Sequence, residues 1–66
     1  MKAQVNGTSR DLAEGTSIAA VVALVGAPAK GVAVALDGAV VPRALWEKTI
    51  VPDGGVVEVL TAVQGG

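Results

Sequence analysis

The chain has 66 residues, which is enough for one domain and no more. It contains no Cys and no His, so disulfides and Cys/His zinc sites cannot staple this small fold, and aliphatic packing must form its core. The formal charge is −1, from five basic and six acidic residues. The basic residues are scattered, whereas nucleic acids and anionic membranes both attract clustered positive charge. We therefore expect neither a nucleic acid partner nor a membrane partner.

The beginning of the chain predicts a hairpin. Apolar and polar residues alternate over residues 1–5, as in a half-buried strand. Asn6-Gly7 is a strong hairpin-turn signal, and residues 8–12 form the return strand. Asn6-Gly7-Thr8 also fits a glycosylation sequon. Because the N-terminus turns polar after five residues, unlike a signal peptide, we favour the unglycosylated turn and a cytoplasmic location.

A short helix is predicted next. Thr16 or Ser17 can cap its first turn through a side-chain oxygen. One face of the helix is apolar at helical spacing: Ile18, Val21, Val22 and Val25. Gly26 suits the left-handed position after the helix, and Pro28 prevents its continuation. The apolar stretch that contains this helix, residues 18–29, is shorter than the about 20 residues of a membrane-spanning helix.

The second half of the chain predicts another hairpin and a last strand. Residues 32–36 are apolar throughout, which indicates a strand that is buried on both faces or lies in the centre of a sheet. Asp37-Gly38 predicts the turn to a short strand over residues 39–41, which Pro42 ends. After a turn cluster, residues 56–63 form the final strand, whose only charge is Glu58.

This order of elements predicts an α+β fold of the β-grasp type, with a mixed sheet of four to five strands crossed by one main helix. The final strand lies beside the first in this arrangement. We place a single domain at residues 1–63. A flexible tail is expected at residues 64–66, because Gln64-Gly65-Gly66 has no side chains that could pack well against the domain.

The residue inventory argues against an enzyme. Without His and Cys there is no Ser-His-Asp arrangement and no thiol nucleophile, and we expect no zinc site. Asp11 and Glu14 are best interpreted as solvated surface carboxylates, because the chain is too short to build a deep pocket around them. No catalytic residue is therefore assigned.

The Gly65-Gly66 end is the unusual feature of the sequence. A cloning scar or a frayed end would give the same residues. The functional interpretation is that glycines, which lack Cβ, can enter a narrow channel and present an unhindered terminal carboxylate. A partner enzyme that supplies ATP and metal could then activate this carboxylate, and such a carrier needs no catalytic residues of its own.

The chain resembles the sulfur carriers of thiamine biosynthesis, the ThiS family of ubiquitin-like β-grasp proteins. The resemblance covers the whole chain, and the order and spacing of its segments make it specific. The matching segments are Asn6-Gly7, residues 31–36 (GVAVAL), Val41-Pro42-Arg43 with Trp46, and residues 57–66 (VEVLTAVQGG).

The resemblance implies a mechanism at Gly66. An adenylyltransferase related to ubiquitin-activating enzymes makes an acyl-adenylate at the Gly66 carboxylate, and a sulfur donor system converts it to a thiocarboxylate. Thiazole synthase takes that sulfur for the thiazole ring, and Gly65 carries the tail into the partner's site. The chain itself binds no cofactor; the activating partner uses ATP and Mg²⁺.

Two turn positions depart from the family pattern. Gly55 stands where the family often has Asp, and Asp37-Gly38 where it often has Asn-Gly. Both replacements are compatible with turns, so they bear on local strain or one surface charge.

Two other functions remain open. One is a ubiquitin-like sulfur carrier for molybdopterin or cysteine synthesis. The other is a protein-binding module or a modifier whose tail is joined to lysines.

An exposed apolar patch is expected on the sheet face away from the helix, because one helix cannot cover all the apolar residues of the sheet. The candidates for docking a partner there are Val41, Val57 and Val59, with Arg43 at the rim; the sequence pattern leaves open which face of the sheet each valine takes. Trp46 is interpreted as a cap on the core, with a binding hot spot as the alternative.

Overall fold

A computed structural model describes residues 1–28 and 30–61, which form five strands, one α-helix and a 3₁₀ turn. Their bounds are β1 Lys2–Val5, β2 Thr8–Asp11, α1 Ile18–Leu24, β3 Val32–Leu36, β4 Ala39–Val40, the 3₁₀ turn Arg43–Leu45 and β5 Val56–Thr61. The strands form one sheet in the order β2-β1-β5-β3-β4. β1 and β5 run parallel, and the other neighbours are antiparallel. The predicted mixed sheet, with the last strand beside the first, is confirmed.

Both predicted hairpin turns form, and they share one geometry. Asn6 and Asp37 each have φ 51°, and the glycines that follow, Gly7 and Gly38, have φ 80° and 85°. Left-handed conformations at both central residues define the type I′ turn, whose twist matches that of the strands it joins. Asn and Asp tolerate this conformation better than most residues with a Cβ, which explains why they stand at these positions.

The helix begins and ends at the predicted signals. Ser17 is the residue that caps it, because the Ser17 Oγ accepts a hydrogen bond from the Ala20 amide at 3.1 Å. The Thr16 hydroxyl instead donates to the carbonyl of Ala13. At the other end, Gly26 follows the last helical turn with φ 70°, the left-handed conformation predicted for it.

The core lies between α1 and one face of the sheet. It consists of Ala3, Val5, Leu12, Ile18, Val21, Val22, Val34, Val41, Trp46, Val51, Val57 and Val59. Trp46 is 6% exposed and its Nε1 donates to the carbonyl of Val41 at 2.9 Å, so its predicted role as a core cap is confirmed. Within the described ranges, no helix is long and apolar enough to cross a membrane.

β3 is not buried on both faces. It lies inside the sheet, between β5 and β4, which agrees with one of the two predictions for its apolar sequence. Val34 is buried on the helix side, whereas Ala33 is exposed on the other side. The small outward side chains therefore leave this part of the sheet open to solvent.

The loop before β5 is attached to the start of β1. The backbone amide of Lys2 donates to Asp53 Oδ1 at 3.0 Å, and the Gly54 amide donates to the Lys2 carbonyl at 2.7 Å. Gly55 is buried, and a Cβ on it would lie 3.0 Å from the carbonyl oxygen of Pro52. In this chain the loop therefore closes tightly around a residue without a side chain.

Candidate functional site

β5 is the strand that leads to the C-terminal residues, and it lies in the centre of the sheet between β1 and β3. The described part of the chain ends at Thr61. The predicted carrier residue Gly66, its neighbour Gly65 and the predicted domain boundary at residue 63 lie outside the described residues. Their roles remain predictions.

Side chains from the two hairpin turns fix the position of β5. Asn6 Oδ1 accepts a hydrogen bond from the Val59 amide at 2.8 Å. Asp37 Oδ1 accepts from the Val56 amide at 2.9 Å, and the Asp37 amide donates to the Val56 carbonyl at 2.8 Å. These bonds add to the pairing of β5 with β1 and β3, so the strand has a defined position in the sheet up to Thr61.

Three of the four predicted docking residues are buried, so the expectation that they form an exposed patch is wrong. Val57 is 0% exposed, Val59 7% and Val41 9%. Side chains alternate between the two faces of a strand, and Val57 and Val59 point to the helix side. Val41 joins them there, because its amide donates to the carbonyl of Val34, whose side chain is also in the core.

An apolar patch does exist on the predicted face, but other residues form it. Residues directly opposite in neighbouring strands share a face. Leu60 pairs with Ala33, Glu58 with Ala35, and Ala35 with Val40. We call the apolar residues on this face the outer patch: Ala33, Ala35, Val40, Val56 and Leu60.

The outer patch is open to solvent. Val40 is 76% exposed, Leu60 62% and Val56 40%. With strands about 4.8 Å apart and a rise of about 3.3 Å per residue, the patch extends about 10 Å across three strands and about 13 Å along β5. Because these exposed apolar residues are grouped on one face of the sheet, the outer patch is a candidate interaction surface.

A sequence signal for the correct residues was present in β5. Glu58 is its only charge, and a charged residue in a one-sided strand faces solvent. Because alternate residues share a face, Val56 and Leu60 must then face solvent with Glu58, while Val57 and Val59 must face the core. The position of Glu58 alone therefore separates the two sets of β5 residues.

Arg43 lies three residues beyond Val40, at the start of the 3₁₀ turn, and is exposed. Its guanidinium carbon lies 5.1 Å from the centre of the Trp46 ring. A cation at this distance over the indole face is attracted by the ring. Its predicted place at the rim of a docking surface remains a prediction.

The carboxylates near the helix entrance are solvated, as predicted. Asp11 and Glu14 are both exposed. Asp11 lies 3.6 Å from the Lys2 ammonium, in an ion pair whose side chains are 80% and 72% exposed. Exposed pairs of this kind contribute little to stability. Among residues 1–28 and 30–61, no group of three or more His, Cys, Asp or Glu side chains is placed to hold a metal ion.

Comparison with known proteins agrees with this architecture. The model of the ThiS family matches residues 3–66. A crystal structure of the thiamine biosynthesis protein ThiS from Geobacter metallireducens is 33% identical, with a TM-score of 0.83 and full coverage of both chains.

An NMR solution structure of a thiamine biosynthesis protein from the same organism is 32% identical, with a TM-score of 0.81. It is matched over 100% of this chain and 88% of that one. A search of curated proteins gave no match. The fold is the ubiquitin-like β-grasp, and the chain belongs to the ThiS family.

Proposed function

We propose that this protein is a sulfur carrier of thiamine biosynthesis, a substrate of partner enzymes and not an enzyme itself. The observation that carries the proposal is the family match, which extends through Gly65 and Gly66 to the last residue of the chain. Family membership supports the carrier role, and the two structural relatives are thiamine biosynthesis proteins. In this proposal Gly66 presents a terminal carboxylate without a Cβ beside it, which an activating enzyme can reach.

The chemistry proceeds at the Gly66 carboxylate. A carboxylate oxygen attacks ATP, held with Mg²⁺ by an adenylyltransferase of the ubiquitin-activating type, and an acyl-adenylate forms as pyrophosphate leaves. Sulfide-level sulfur from a donor system then attacks the acyl carbon and displaces AMP, which leaves a thiocarboxylate. Thiazole synthase accepts this sulfur for the thiazole ring.

In this proposal the outer patch docks the adenylyltransferase. Leu60 belongs to the patch and lies six residues before Gly66, a segment that reaches at most about 20 Å when extended. A partner seated on the patch would therefore need its active site within about 20 Å of Leu60. Asn6 and Asp37 attach β5 to the sheet, which supports a defined position for the strand that leads towards Gly66.

Deletion of Gly66 tests the proposal. Every residue of the described core precedes the tail, so the shortened protein should unfold at the same denaturant concentration as the wild type. It should accept no sulfur when incubated with ATP, Mg²⁺, the cognate adenylyltransferase and a sulfur source. Sulfur transfer by the deletion variant would refute the proposal.

A further inference from the structure

Glu58 stands in the middle of the outer patch. It lies between Val56 and Leu60 on β5, and Ala35 is directly opposite on β3. Of the outward-facing residues that the structure describes in β3, β4 and β5, Glu58 alone is charged. An otherwise apolar docking face thus carries one carboxylate near its centre.

Among residues 1–28 and 30–61, no ammonium or guanidinium group lies within ion-pairing distance of this carboxylate. The ion pair that these residues contain joins Lys2 to Asp11, at 3.6 Å. Gln4 is level with Val56 in the parallel pairing of β1 and β5, so Lys2 lies four residues from the level of Glu58, or about 13 Å along the strands. Glu58 is exposed, so water solvates its carboxylate in the free protein.

Docking removes that water. An ionised carboxylate that leaves water without a counter-charge is strongly disfavoured, and the penalty opposes the gain from covering the surrounding apolar side chains. A partner surface that is wholly apolar, or that carries an acidic residue at this point, is therefore rejected. A partner that places a cation here forms an ion pair with Glu58, in an interface from which part of the water is excluded.

We propose that Glu58 determines partner specificity on the outer patch, by pairing with an arginine or lysine at the centre of the adenylyltransferase's docking surface. An arginine fits best, because its planar guanidinium can bind both carboxylate oxygens. The inference rests on the proposed function, since that function supplies the partner. To the proposed function the inference adds the sign of the charge that the partner must carry. It also assigns the discrimination between partner surfaces to one residue.

The test compares Glu58→Gln and Glu58→Lys with the wild-type protein in binding to the cognate adenylyltransferase. Loss of a charge-assisted hydrogen bond should weaken binding about 10- to 100-fold in Glu58→Gln. Glu58→Lys should bind more weakly still. Glu47→Lys is the matched control, since Glu47 is exposed and lies outside the strands of the patch. It makes the same change in net charge and should bind as the wild type does.

Two further readouts separate the possible failures. The wild-type affinity should fall more steeply with salt than that of Glu58→Gln, and all variants should unfold at the wild-type denaturant midpoint. If the wild-type protein is activated at Gly66 and Glu58→Gln binds the adenylyltransferase as tightly as the wild type does, the inference is wrong while the proposed function stands. If the wild-type protein itself is not activated at Gly66, the proposed function fails and the inference fails with it.

Discussion

Leu60 and Val57 lie three positions apart on one strand and should respond to truncation in opposite ways. Leu60 is 62% exposed on the outer patch, so a partner can still cover about two thirds of it. Since full burial of a leucine is worth about 1.5–3 kcal/mol, Leu60→Ala should weaken docking by about 1–2 kcal/mol, or roughly 5- to 30-fold. It should leave the free energy of unfolding nearly unchanged.

Val57→Ala should do the reverse. Val57 is 0% exposed, so the change removes two buried carbon groups at about 0.8 kcal/mol each and leaves a cavity, for a loss of about 2–3 kcal/mol of folding stability. A domain of this size has about 3–10 kcal/mol in total, so the folded state stays favoured over most of that range. The folded variant should dock as tightly as the wild type.

The assays for this pair are direct. Trp46 is the only aromatic residue and is buried, so its fluorescence follows unfolding in denaturant. Calorimetric titration with the cognate adenylyltransferase, without ATP, gives the docking affinity. Weaker docking by Val57→Ala together with unchanged docking by Leu60→Ala would refute the assignment of the outer patch.

Two further predictions concern stability. Asn6→Ala removes the side-chain oxygen that accepts a hydrogen bond from the Val59 amide. It also places alanine, which tolerates a left-handed conformation less well than asparagine, at φ 51°, so the free energy of unfolding should fall by about 2–3 kcal/mol. Asn6→Asp keeps an oxygen that can accept this hydrogen bond, so its free energy of unfolding should fall by less. Gly55→Ala brings a Cβ to 3.0 Å from the Pro52 oxygen and should cost about 1–3 kcal/mol. Gly54→Ala meets no atom within 4 Å and should cost only the strain of its φ of 79°, about 1 kcal/mol.

Denaturant unfolding of the four variants checks both predictions. Equal stability of Asn6→Ala and Asn6→Asp would mean that the bond to the Val59 amide contributes nothing. A Gly55→Ala variant no less stable than Gly54→Ala would mean that the loop before β5 relaxes around the added methyl group.

The turns and the helix ends could be predicted from the sequence because their signals are local. Asn6-Gly7 and Asp37-Gly38 specify type I′ turns by their own conformational preferences, and Gly26 specifies the end of α1. The choice between Thr16 and Ser17 as the cap could not be made, because both hydroxyls can accept the same bond. The structure decides it through the position of the Ala20 amide.

The docking face was predicted, but its residues were not. β5 contains three valines of the same chemistry, of which Val56 is exposed and Val57 and Val59 are buried. Only the alternation of side chains along the strand, with Glu58 on the solvent side, separates them. The hydrogen bond from the Val59 amide to Asn6 joins residues 53 positions apart. Such a contact depends on the strand order of the whole sheet, which no local pattern contains.

The intact mass of the protein, with its natural C-terminus, tests the central claim most directly. The protein is incubated with ATP, Mg²⁺, the cognate adenylyltransferase and a sulfur source, and the modified residue is located by fragmentation. The account predicts a mass increase equal to the replacement of one oxygen by sulfur, located at Gly66. No increase, with an enzyme that is active on an established carrier, would contradict it.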